Sequence, residues 1–245
     1  YFMLKICVIG LGYVGLPICL KLAKNFKTVG FDINSKRINS LKNQIDLNYE
    51  FKKKDLKKRN LIFSKEIKDI SKCNFYIICV PTPITNLKLP DLRYIGESFK
   101  LLSKILKKGD IIILESTVYP GVTETFAKRL EKKTKLKYNQ DFSICYSPER
   151  INPGDKKNNL NQINKILAYE GKSQKVKSSL KNVYKKICKK LIFSKNIKEA
   201  EMAKGIENIQ RDLNIALFNE ILIICNRLNL DFNEVIRLAS TKWNF

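Results

Sequence analysis

The sequence has no histidine among its 245 residues. That absence excludes Cys2His2 zinc centres and any catalytic triad or general base built on imidazole. No stretch approaches roughly 20 uncharged apolar residues, so no membrane-spanning helix is expected. Proline and glycine are modest, at 7 and 10 residues, which excludes collagen-like and low-complexity chains. There is no internal repeat. The first ten residues run straight into a strand pattern, so no secretory signal is expected.

Acidic residues are scarce. Only 23 Asp and Glu face 47 Lys and Arg, giving a formal net charge of +24. Such an excess suits nucleic acid, an anionic membrane or a phosphorylated ligand. Here the lysines are scattered, as at Lys57 and Lys58, Lys107 and Lys108, and Lys185 and Lys186. No aromatic residues interleave with them, so they are assigned to solvated surface, with no nucleic-acid and no membrane partner. The seven cysteines are an odd number without paired metal spacing. They predict reduced, mostly buried thiols, no metal, and a cytoplasmic location.

What is present is an alternation of apolar runs and amphipathic stretches. Strands are expected at residues 4–9, 28–31, 61–63, 75–80, 111–114 and 142–145. Helices are expected through about residue 25, and at 35–44, 94–106 and 123–133. Short apolar runs without alternation suit strands covered on both faces, and repeated strand–helix units give an α/β fold with a doubly wound parallel sheet. Residues 147–158 are polar and expected to be a loop. Short strands at 163–168 and 191–193 flank a helix near 174–189. A long helix covers about 198–228 and a further one 233–240. The long helix is apolar on nearly every face after Leu213, so it is expected to be buried all round, against its own domain and a second subunit.

The segment Gly10-Leu11-Gly12-Tyr13-Val14-Gly15 follows the first strand and opens a helix. Gly10 permits a tight turn, Gly12 clears the approach of a pyrophosphate, and Gly15 lets helix and strand pack closely. The helix N-terminus offers free N–H groups to phosphates. Asp32 ends the second strand about 20 residues on, as a ribose diol ligand would. A carboxylate there repels a 2′-phosphate, which favours NAD over NADP, although Lys36 and Arg37 stand nearby. Ligands of open parallel sheets sit beyond the carboxyl ends of the strands. Three segments occupy that edge: Val80-Pro81-Thr82-Pro83, Glu115-Ser116-Thr117-Val118 and Ser147-Pro148-Glu149-Arg150. On the long helix, Lys204, Asn208 and Arg211 share a face at i, i+4 and i+7. They offer an amine for a developing oxyanion, an amide, and a guanidinium for a phosphate or carboxylate.

These segments resemble the UDP-glucose/GDP-mannose dehydrogenase family, and most closely its branch acting on UDP-N-acetylhexosamines. The resemblance is carried by residues 9–17, 80–83, 115–121, 146–155 and 199–220. It is most specific in Ser147-Pro148-Glu149-Arg150-Ile151-Asn152-Pro153-Gly154-Asp155. It implies that Tyr13, Val14, Asp32, Arg37, Thr82 and Thr117 contact NAD. It implies that Thr117 and Glu149 hold a water or act in acid–base steps. Arg150, Ile151, Lys204, Asn208 and Arg211 would contact the UDP-sugar, with Lys204 and Asn208 in the catalytic set. The implied reaction oxidises a sugar C6 alcohol to the uronic acid with two NAD, through a cysteine thiohemiacetal and thioester.

The resemblance implies three parts: an NAD-binding Rossmann domain at residues 1–155, a connecting α/β segment at 156–196, and an incomplete helical dimerisation domain at 197–245. A homodimer through the long helix is expected. The family's cysteine lies in a Gly-Gly-x-Cys segment beyond the helical domain, before a UDP-binding module. This sequence ends at Lys242-Trp243-Asn244-Phe245. The chain alone is therefore expected to bind NAD without completing acid formation. Two alternatives stand beside this expectation: a β-hydroxyacid-type dehydrogenase, which needs no cysteine, and a non-catalytic NAD-binding subunit.

Overall fold

A computed structural model describes residues 3–150 and 162–245. The first three strands are β1 (Lys5–Ile9), β2 (Lys27–Phe31) and β3 (Leu61–Ser64). They are followed by β4 (Phe75–Ile78), β5 (Ile111–Leu114) and β6 (Ser143–Tyr146). The last two are β7 (Asn164–Ala168) and β8 (Lys190–Ser194). They form one eight-stranded sheet in the order β3-β2-β1-β4-β5-β6-β7-β8. Strands β1 to β6 pair in parallel. Strand β7 joins β6 antiparallel through Tyr146 and Ala168, and β8 then runs parallel to β7. The order 3-2-1-4-5-6 is that of a Rossmann sheet, whose topological switch lies between β1 and β4.

The helices of the first part are α1 (Gly15–Leu22), α2 (Ser35–Lys42), α3 (Lys53–Leu56), α4 (Ile67–Ile70), α5 (Arg93–Leu102), α6 (Val122–Thr134) and α7 (Gln174–Tyr184). They cover both sheet faces, and strand alternation divides the core accordingly. Ile6, Val8, Phe75, Ile77, Ile111 and Ile113 enter one buried cluster. Cys7, Ile9, Tyr76, Ile78, Ile112 and Leu114 enter the other. Both side-chain sets of each strand are apolar because both are covered, which is why the sequence shows no alternation. Asn34 caps α2 by accepting from the Arg37 N–H, and Ser173 caps α7 from the Val176 N–H.

The chain divides into two compact units, Tyr1–Met202 and Ala203–Phe245. The boundary falls inside α8 (Ile197–Arg227), which is 31 residues long and precedes α9 (Phe232–Ala239). Expected burial of α8 on all sides is not what this single chain shows. Leu213 is 63% exposed, and Ile206, Ile209, Ile215 and Leu217 are exposed as well. Cys225 is buried, and the Phe218 and Phe245 rings meet edge to face at 6.2 Å. No described helix is long and apolar enough to cross a membrane. Helices α3 and α4 were not anticipated, since four residues hold too little periodicity to be recognised.

Candidate functional site

The glycine turn is built by close contacts that only glycine allows. Gly10 has φ +89°, and a Cβ there would lie 2.8 Å from the Cys79 carbonyl oxygen. A Cβ on Gly15 would lie 1.8 Å from the Gly10 carbonyl oxygen. Both glycines are therefore required by packing. Gly12 differs: a Cβ there would meet nothing within 4 Å. The turn thus leaves space beside its own backbone, at the N-terminal end of α1, where a pyrophosphate is expected. Val14 is the N-cap of α1 without a side-chain cap, and Tyr13 is 48% exposed.

Asp32 follows β2 and bonds back to this turn. Its Oδ2 accepts from the Leu11 N–H at 2.9 Å, and its Oδ1 from the Asn34 N–H at 2.9 Å. Arg37 is buried on α2. Its Nε donates to the Leu11 carbonyl at 2.9 Å, and its Nη1 to Asp46 at 2.7 Å. Its Nη2 is buried without a protein partner. The residues present therefore fit a dinucleotide: an open glycine backbone, a carboxylate at the end of β2, and one guanidinium nitrogen with unused donor capacity. Much of Arg37 nevertheless supports the loop that shapes the site, a part that spacing alone did not reveal. Burial pushes the Asp46 carboxyl up, but the Arg37 guanidinium and the backbone N–H groups of Asn48 and Phe51 outweigh it and hold it below the usual range.

The strand exits converge as the Rossmann order requires. Thr82 and Thr117 are half-buried beyond β4 and β5. The Ser116 hydroxyl ties these exits together by donating to the Val80 carbonyl at 2.6 Å. Beyond β6, Ser147, Pro148 and Glu149 are buried, and Glu149 Oε1 accepts from the Arg150 N–H at 2.6 Å. Ile151 lies outside the described residues, as do residues 152–155 of the same segment.

Two residues around Glu115 went unrecognised in the sequence. Lys165 on β7 is wholly buried; its Nζ donates to Glu115 Oε2 and lies 3.7 Å from Glu149 Oε2. Tyr184 on α7 donates to Glu115 Oε1 at 2.6 Å. A lysine inside an apolar strand was the available signal, but its partners come from just beyond β5 and β6. A third omission is Glu201 as a helix cap. It is wholly buried at the start of α8 and accepts from the Gly121 and Thr123 N–H groups at 2.6 and 2.9 Å. It thereby satisfies two backbone donors at the N-terminus of α6.

On the second unit, Lys204 is buried, Asn208 half-buried and Arg211 exposed. Arg211 Nη2 donates to Asn208 Oδ1 at 2.6 Å, so these two share the expected face of α8. Among the described residues, no group of three or more Cys, Asp or Glu side chains is placed to hold a metal ion.

The NAD binding domain of the UDP-glucose/GDP-mannose dehydrogenase family matches residues 4–188, and its central domain matches residues 198–245. The chain belongs to the UDP-glucose/GDP-mannose dehydrogenase family. A UDP-N-acetyl-D-glucosamine 6-dehydrogenase of Salmonella typhi is 49% identical over 98% of this chain and 57% of its own length. A protein of the same name from Pseudomonas aeruginosa is 46% identical over 99% of this chain and 58% of its own length. Among solved structures, that of a UDP-D-ManNAc dehydrogenase from Pyrococcus horikoshii is similar with a TM-score of 0.91 and 31% identity. That similarity covers 99% of this chain and 59% of the other. The chain thus spans 57% and 58% of the length of these two curated family members.

Proposed function

We propose that the chain supplies the NAD-binding fold and a substrate-facing helix of a nucleotide-sugar 6-dehydrogenase. The substrate class is a UDP-N-acetylhexosamine, whose C6 alcohol is oxidised to the uronic acid for surface polysaccharide. The observation that carries this reading is the Gly10 to Gly15 turn, open at Gly12 and tied to Asp32, in a chain 49% identical to a UDP-N-acetyl-D-glucosamine 6-dehydrogenase.

NAD, when bound, supplies the hydride acceptor. The rest falls to this chain's side chains. The open backbone at Gly12 and the α1 N-terminus hold the pyrophosphate, and Asp32 takes the ribose diol. Tyr13, Val14, Arg37, Thr82 and Thr117 complete the cofactor set. Thr117 and Glu149 orient a water or move a proton. The Lys204 ammonium stabilises alkoxide character developing on the C6 oxygen, with Asn208 orienting it. Arg150, Ile151 and Arg211 contact the UDP-sugar, where a guanidinium suits phosphate oxygens.

The domain reading stays with this proposal: a Rossmann domain at 1–155, an α/β segment at 156–196 completing it, and a dimerisation domain from 197. The exposed apolar residues of α8 and α9, among them Leu213, Leu217 and Leu238, support a homodimer. Seven free, buried thiols agree with a reducing, cytoplasmic compartment.

Calorimetric titration tests the reading. The chain should bind NAD, and with NAD present it should bind UDP-N-acetylhexosamines in preference to a panel of β-hydroxyacids. Binding of a hydroxyacid instead would assign it to the other dehydrogenase class.

A further inference from the structure

Lys165 is wholly buried on β7, between Asn164 and Ile166 in an otherwise largely apolar strand. A buried ammonium is costly unless it is paired, and here the pairing is unequal. Glu115, just past β5, takes the direct hydrogen bond through Oε2. Glu149, past β6, presents its Oε2 at 3.7 Å. Tyr184 from α7 occupies the second oxygen of Glu115 at 2.6 Å. The thiols of Cys79, beyond β4, and Cys188, beyond α7, also lie close enough to act on the Lys165 ammonium. One ammonium therefore stands between two carboxylates in a buried setting.

Desolvation pulls the Lys165 ammonium down, but Glu115 and Glu149 outweigh it and hold it above the ordinary lysine range. Burial pushes the Glu115 carboxyl up, against the pull of Lys165. The Tyr184 hydroxyl is pushed well up by burial and by Glu115, so it stays a donor. Glu115 has two partners of its own, Lys165 and Tyr184. Glu149 lies within reach of the same ammonium at the ligand edge of the sheet. A Lys165 to Glu115 pair alone would not need the second carboxylate within reach.

We propose that Lys165 is a positioning residue: its ammonium is the shared counter-ion of Glu115 and Glu149, fixing the Glu149 carboxylate at the exit of β6. This rests on the reading of Glu149 as an acid–base group. Its test reads out the side chains directly.

The lysine ammonium signals of the 245-residue chain are followed by ¹⁵N-detected NMR. The buried Lys165 ammonium should give a slowly exchanging signal, and Glu149→Gln should shift it. An unmoved signal in a folded Glu149→Gln protein overturns the proposal and leaves a Lys165 to Glu115 pair alone. With ¹³C-carboxyl-labelled glutamate, Lys165→Met should shift the carboxyl signals of both Glu115 and Glu149, and Lys165→Arg should leave them nearer wild type. A folded Lys165→Met protein whose Glu149 carboxyl signal has not moved also overturns it. Should Lys165→Met not fold, the Glu149→Gln signal decides alone. NAD titration of the same samples separates the two readings. Absence of NAD binding in the wild-type chain defeats the dehydrogenase assignment, while the ammonium signal still decides the role of Lys165.

Discussion

The Nε of Arg37 donates a 2.9 Å hydrogen bond to the carbonyl oxygen of Leu11, in the middle of the glycine turn. One cation on α2 thus braces the first strand–helix crossover from the second. Its other arm is an ion pair with Asp46, whose carboxylate also accepts from the N–H groups of Asn48, Glu50 and Phe51. The shape of the dinucleotide turn depends on this buried pair as well as on its glycines.

Arg37→Ala should therefore destabilise the chain by about 3–5 kcal/mol at neutral pH, because it strands a buried carboxylate. The Asp46 carboxyl lies below its ordinary range, so its contribution is full above the unfolded value of about 4 and is lost as pH falls through the folded value. The gap between wild type and Arg37→Ala in denaturant titrations should narrow on acidification. A gap independent of pH would show that the ion pair is not its source.

The glycines should separate by role. Gly15→Ala places a Cβ 1.8 Å from the Gly10 carbonyl oxygen and should cost about 3 kcal/mol of stability. Gly12→Ala meets no neighbour within 4 Å, so its melting temperature should stay near wild type. NAD affinity should nevertheless fall by roughly tenfold or more, since the methyl group occupies the pyrophosphate approach. Thermal melts and calorimetry on the two variants check both halves.

Glu201 closes the N-terminus of α6 with two charged hydrogen bonds. Glu201→Ala should cost about 2–4 kcal/mol, with Glu201→Gln in between, because the amide can still accept one of them. Amide hydrogen exchange should show the loss at Gly121 and Thr123 first.

Asp110, buried between α5 and β5, is a site of opposite sign. Burial pushes its carboxyl up to about 6, against the hydrogen bond from the Lys107 N–H. The folded state therefore holds a proton that the unfolded state releases. This contribution to stability is full below about 4, the unfolded value, and is lost as pH rises through about 6. Asp110→Asn should remove that slope, while its side-chain oxygen keeps the Lys107 contact. A slope of wild-type size in Asp110→Asn would place its origin elsewhere.

Much of the architecture was legible because it is written locally. Short apolar runs gave β1, β2, β4 and β5, with ends shifted by a few residues. The glycine spacing gave the tight turn after β1, and Asp32 bonds back to it, because both lie within one crossover. Lys165 was not legible, since its meaning depends on β7 turning antiparallel beside β6 to face Glu115 and Glu149. Arg37 was legible as a charge near a ribose site, but its pairing with Asp46 required the loop after α2. The apolar run of α8 was visible in sequence, yet the structure leaves Leu213, Ile215 and Leu217 exposed.

The most direct measurement is a calorimetric titration of the chain with NAD and NADP side by side, repeated on Asp32→Ala. The account predicts saturable NAD binding, roughly tenfold or more tighter than NADP, with that preference lost in Asp32→Ala. Absence of NAD binding by the folded chain, or equal affinity for the two in wild type, would contradict it.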